Sequence, residues 1–139
     1  MAPGVAVNAE EALETAILAV LAEDAEVAGL LGDPLRLLGA GPKPAFPYLE
    51  VVRHQSVDAS AADVDASEHR IDLAVTSRDG GGARVKAAIA AVRAALANAE
   101  LAMTGWRCVL LVPVFSDAAR SDIEIWRGLL RLRALVEAV

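Results

Sequence analysis

The sequence predicts an α+β fold: a single, mostly antiparallel sheet of four strands, or five, with two helices packed on one face, in the order α-β-β-α-β-β. Three observations predict it. Two stretches repeat apolar residues at helical spacing. Four others alternate, or run apolar, at strand spacing. The length of 139 residues suits one domain spanning 1–139, and the chain has no internal repeat or composition break that would divide it.

The first helix is expected from about residue 9 to 31. Asn8 supplies an N-cap with Glu11 three residues on, and Leu13, Ile17, Val20, Leu21, Ala28 and Leu31 form its apolar stripe. Glu10, Glu11 and Glu14 suit the positive end of the helix dipole, and Gly32-Asp33-Pro34 ends the helix. Leu35–Leu38 reads as a short extended segment, and 39–47, with two glycines and three prolines, as a stiff loop. A first strand follows over 48–54. Residues 55–67 are small, polar and acidic without periodicity, which predicts a long mobile hairpin loop. Residues 69–77 alternate, with Ile71, Leu73 and Val75 on one side and Arg70, Asp72, Ala74 and Thr76 on the other. Asp79-Gly80-Gly81-Gly82 breaks that strand, and a second helix is expected over about 83–97 with Val85, Ile89, Val92 and Leu96 on its stripe. A third strand, 106–115, is apolar on both faces and so expected to be central, with Pro113 marking a bulge or strand end. Residues 116–122 read as a polar loop. The fourth strand, 124–136, places Arg127, Arg131 and Arg133 on one face and Trp126, Leu130, Leu132 and Ala134 on the other.

Composition narrows the function. Hydrophobic residues make up 55%, which excludes intrinsic disorder and exceeds what one small domain ordinarily holds. The surplus suggests burial against other subunits. The net charge of -6 argues against a protein whose main work is gripping nucleic-acid phosphates. The charge is split: residues 1–69 carry 12 acids and 3 bases, net -9, whereas 70–139 carry 7 acids and 10 bases, net +3. Such a division suits a head-to-tail contact in a ring, or simply a solvated acidic helix face. Cys108 is the only cysteine, so no internal disulfide forms. Met1–Asn8 lacks the features of a signal peptide, and no apolar run approaches the ~20 residues of a membrane helix. The chain is therefore expected in the cytoplasm when made.

No constellation amounts to an active site. The Asp79–Gly82 turn departs from G-x-G-x-x-G and lacks a following Gly-Lys-Ser or Gly-Lys-Thr, so it reads as a chain reversal. His54 and His69 flank the predicted loop. Pairing across a hairpin would let Glu50 or Glu68 complete a metal site with them, yet no metal-ligand spacing is present. Ser77, Ser116 and Ser121 sit in no nucleophile-elbow context, and Cys108 reads as core. Glu23-Asp24 and Asp63/Asp65 read as solvated acids. No catalytic residue, cofactor or metal is assigned. The arginines at 127, 131 and 133 are better suited to carboxylates of a neighbouring subunit than to phosphates, because no aromatics interleave them.

Three ordered stretches carry a resemblance. The first is Ala12-Leu13 through Ala28-Gly29-Leu30-Leu31-Gly32 with the loop ending Ala45-Phe46-Pro47-Tyr48. The second is His69 through Arg78 running into Lys86 through Leu96, and the third is Trp126 through Ala134. Together they resemble the tail-completion, or tail-terminator, family of long-tailed phages and gene transfer agents. The chain departs from the family pattern at Thr76, where a tryptophan is frequent, and at Leu132, where an aromatic is frequent. The resemblance implies a homo-hexameric ring at the head-proximal end of a tail tube. Such a ring halts tube growth and offers a docking surface to the head connector or stopper, with DNA passing through its lumen and no catalysis involved.

On this reading Arg127, Arg131 and Arg133 are the candidate subunit contacts. The stretches 55–67 and 116–122, with Asp58, Asp63, Asp65, Asp117, Arg120 and Asp122, are the candidate docking loops. The rivals are another neck ring, such as a head–tail stopper or adaptor, and a small ligand-binding α+β domain or enzyme using the Gly80–Gly82 turn.

Overall fold

The computed structural model describes residues 8–78, 81–97 and 99–139. Helix α1 spans Ala9–Glu23. Asn8 caps it as expected, its side chain accepting from the Glu11 amide at 2.8 Å. The predicted single helix is in fact two, because Asp24 is extended (φ −81°, ψ 124°) and its carboxylate accepts from the amides of Glu26 and Val27 at 3.0 and 2.9 Å. Asp24 thus starts helix α2, Ala25–Leu31, and is not merely a solvated acid. The apolar stripe survives the break: Leu13, Ile17, Leu21, Val27 and Leu31 are all buried.

Arg36 ties down the loop that follows, donating to the carbonyls of Pro47 and Leu30. The extended segment at Leu35–Leu38 meets the sheet by one parallel bridge, Leu37 to Leu49.

Strand β1 runs Tyr48–Asp58 and β2 runs Ala66–Arg78. Both reach into the stretch predicted as loop, which leaves only residues 59–65 between them. The cross-strand ladder, Gln55↔Arg70 through Asp58↔Ser67, holds polar residues that show no apolar alternation for a sequence reading to detect. Helix α3 spans Gly81–Leu96. Strand β3 runs Trp106–Asp122 and β4 runs Ile125–Ala138, joined by the two-residue turn Ile123-Glu124. Residues 116–122 are therefore strand and not loop, held in register against β4.

The sheet is antiparallel throughout, in the order β1-β2-β4-β3. Strand β3 is an edge and not central, contrary to expectation. Its two apolar faces have another cause. Cys108 and Leu111 pack against the core, while Phe115, 49% exposed, lies on the other face directly opposite Arg131. Pro113 adjoins a bulge, as its missing amide predicts, and two further bulges blunt this edge.

The three described helices cover one face. Helix α3 lies directly on β4 at Gly128, where an added Cβ would come within 2.5 Å of Val85 and 2.7 Å of Ile89. The core joins the helical stripes to Leu49, Ile71, Leu73, Val75, Leu130, Leu132 and Val136.

Candidate functional site

The uncovered face of the sheet carries the three predicted arginines, and each already holds a carboxylate of its own chain. Arg131 and Asp72 stand opposite each other on β4 and β2. The guanidinium grips the carboxylate twice, Nε to Oδ1 at 2.8 Å and Nη2 to Oδ2 at 3.1 Å. Asp72 is only 4% exposed, so this is the most desolvated pair on the face. Arg133 reaches diagonally to Glu68 at 2.6 Å, and Arg127 reaches across β2 to Glu50 on β1 at 3.3 Å. The hydrogen bonds to Asp72 and to Glu68 raise the pKa of Arg131 and Arg133, and Arg133 in turn lowers that of Glu68. The Arg131 guanidinium also lies 5.5 Å from the centre of the Phe115 ring. Ion pairs thus run across this face between β4 and the strands β2 and β1, Arg107 of β3 pairs with Glu137 of β4, and the exposed ring of Phe115 lies on the β3 side.

The predicted docking residues separate into two groups at opposite ends of the sheet. The register sets Ala66 against Glu137 at one end and Arg78 against Ile125 at the other. Hence the β1–β2 turn and the β3–β4 turn project in opposite directions. Strand β2 has 13 residues, which at ~3.3 Å per residue separates the two ends by about 40 Å. At the first end, Asp58 accepts from the amide and hydroxyl of Ser60, which lowers its pKa and makes it a turn-former. Asp63 and Asp65 are exposed nearby. At the other end Ile123 is 83% exposed, and the Asp122 carboxylate accepts from its amide. Arg120 stacks over Trp126 at 5.7 Å. Asp117 lines a groove of about 310 Å³ with Lys86, Ile89, Arg93, Ser116 and Ala118.

The two histidines do meet, though not with the expected carboxylates. His54 and His69 lie 2.7 Å apart, nitrogen to nitrogen, and Glu14 of α1 is the partner of His54. Glu50 and Glu68 are engaged by arginines on the opposite face. The cause is a bulge between Val51 and Arg53, which inserts one residue and moves His54 onto the covered face. The flanking positions of the two histidines suggest the pair, but sequence alternation places His54 on the other side, so only the bulge reveals the face on which they meet. Among the described residues no group of three ligand-type side chains is placed to hold a metal ion.

Of the remaining candidates, Gly82, Cys108 and Ser116 have structural surroundings that account for them. Asp79 and Gly80 of the glycine turn, and residues 1–7 of the segment read for a signal peptide, lie outside the described residues. A Cβ at Gly82 would come within 3.0 Å of Trp126, so close packing accounts for that glycine. Burial pushes the Cys108 thiol pKa up, which opposes nucleophilic use. Ser116 accepts from Arg93 at 2.6 Å, and among the described residues the buried Ser77 hydroxyl meets no hydrogen-bond partner. No helix among the described residues is long and apolar enough to cross a membrane.

Known proteins resemble this chain both in sequence and in structure. The model of the tail completion protein gp17 family matches residues 15–137. A chain from the solved virion of a native gene transfer agent particle is 31% identical, with a TM-score of 0.82 over 91% of this chain and 96% of that one. No curated protein matches.

Proposed function

This chain belongs to the tail completion protein gp17 family, and on that premise we propose that it forms a hexameric ring that caps a tail tube. It is a structural tail protein of a phage-like particle and not an enzyme. The ring stops tube elongation and presents a docking surface to the head connector or stopper, with DNA passing through its lumen. Before assembly the chain resides in the host cytoplasm.

The observation that carries this reading is the pair of hairpin turns at opposite ends of one sheet. A collar needs a partner on each rim, and these turns offer two separate surfaces, each with an exposed apolar residue between two acids. One presents Val64 between Asp63 and Asp65; the other presents Ile123 between Asp122 and Glu124, with Arg120 beside it. The open face supplies the contact between copies through Arg127, Arg131 and Arg133. Each arginine arrives with its carboxylate, so two copies meet as neutral ion pairs that share or exchange partners, and no lone charge is buried. The same pairing occupies these cations, so they do not hold phosphates as DNA slides through.

Native mass measurement and negative-stain imaging, with the chain alone and after addition to tail-tube protein, test the ring. Sixfold collars on tube ends are expected. A compact monomer under both conditions overturns the reading. Binding to a purified capsid portal in preference to the tube would instead identify a stopper or adaptor. Changing Arg127, Arg131 and Arg133 together to alanine is expected to abolish the ring, and normal rings from that variant would remove the arginine contact while leaving the cap intact.

A further inference from the structure

Beneath the N-terminal half of α1, a hydrogen-bonded chain crosses from the helix to the base of the β1–β2 hairpin. Glu14 Oε2 lies 2.7 Å from His54 Nδ1, His54 Nε2 lies 2.7 Å from His69 Nδ1, and His69 Nε2 lies 2.7 Å from Ser67 Oγ. His69 is 1% exposed and the His54 side chain 8%, while the Glu14 side chain at the outer end is 34% exposed. Alongside, Ser56 donates its hydroxyl to Glu10 at 2.7 Å, a second tie between the same two elements.

Each ring nitrogen in such a chain must either donate or accept. With Glu14 ionised and both rings neutral, one assignment satisfies every link. His54 Nδ1–H donates to Glu14, His69 Nδ1–H donates to His54 Nε2, and the Ser67 hydroxyl donates to His69 Nε2. One added proton also fits. His54 becomes an imidazolium against Glu14, its Nε2–H donates to His69 Nδ1, and His69 Nε2–H donates to Ser67 Oγ. A second added proton does not fit. Both facing nitrogens would then carry hydrogens, and two like charges would confront each other in a buried site.

We propose that this chain is a proton-binding site that clamps α1 to the β1–β2 hairpin, accepting one proton without losing a bond and releasing the hairpin when a second arrives. The clamp operates whether or not the hairpin tip meets a tail tube.

Among the described residues, the groups that face it are few. Helix α1 contributes Glu10 and Glu14, β1 contributes His54, and β2 contributes His69. Strand β4 sets Ala134 opposite His69 and Val136 opposite Ser67. Beyond Val136, β3 adds Cys108, whose thiol is kept protonated by burial. The charges that act on His69 are those of His54 and Glu10. Burial, and then His54, hold the His69 pKa below the ordinary value of 6.5, with Glu10 opposing. At His69 the unfolded chain therefore binds more protons than the folded one in this range. The sign follows: the stability that His69 contributes is complete above pH 6.5 and falls as pH drops toward its lowered folded value.

The test is a pH titration of the full chain, following the ring signals of its two histidines together with hydrogen exchange of the hairpin amides. The expected result is one proton taken up by the pair as a unit, then a second step at lower pH. Corrected for the intrinsic pH dependence of exchange, opening across 54–58 and 66–70 should rise by about tenfold per pH unit as pH falls from 6.5 toward the second step, and level off below it. His54→Gln and His69→Gln, each leaving a single imidazole, should abolish the second step and flatten the exchange profile. Two independent midpoints at 6.5, or hairpin opening unchanged through both steps in the unmodified chain, overturns the proposal. Both of those outcomes are read on the unmodified chain, so they hold even if neither variant folds.

Discussion

The two faces of this sheet are built from the same strands and do different work. Beneath the helices, Leu73, Leu130 and Leu132 are fully buried against the stripes of α1, α2 and α3. Opposite them on the same strands stand Asp72, Arg131 and Arg133, joined in ion pairs that no described helix covers. Burying each large apolar side chain contributes about 1.5–3 kcal/mol, so the covered face sets the stability of the fold. Solvent screening leaves the exposed ion pairs with little to add, so the open face is free to serve assembly.

The largest single loss should come from the covered side. Leu132→Ala is expected to cost about 4 kcal/mol in urea denaturation, through lost burial and the cavity left behind. Arg131→Ala should rank next in the same urea series, because it strands the buried Asp72 carboxylate. Replacing both partners, as Arg131→Met with Asp72→Leu, should restore most of that loss. Gly128→Ala should cost about 2 kcal/mol by driving a methyl group into Val85 and Ile89. Arg133→Ala, on a half-exposed pair, should move the urea midpoint least of the four. A loss at Arg133 comparable to that at Leu132 would erase the division between the faces.

The sheet is legible in the sequence where one face is apolar and the other polar. Ile71, Leu73 and Val75, and Leu130, Leu132 and Ala134, alternate with polar residues, and both strands lie where expected. The place of β3 in the sheet is not legible, because an edge strand carrying apolar residues on both sides reads like a central one. Its polar second half reads like a loop because its pairing comes from the backbone and leaves no side-chain pattern. The helix break at Asp24 is hidden because both halves share one stripe, so periodicity passes through the cap unchanged.

The candidate site is legible only in part. The arginine face can be read from the period of two, but its carboxylates cannot, since Glu50, Glu68 and Asp72 are more than 50 residues away in sequence. The pairing of His54 with His69 follows from their places flanking the hairpin, but its face depends on a one-residue bulge and its carboxylate on a helix 40 residues away, neither of which leaves a local mark.

The length of tail tubes grown with and without this chain is the most direct measurement of the capping role. A capping ring predicts tubes that stop growing once the chain is added, each bearing a collar at one end. Tubes that continue to lengthen at an undiminished rate in saturating chain would contradict it.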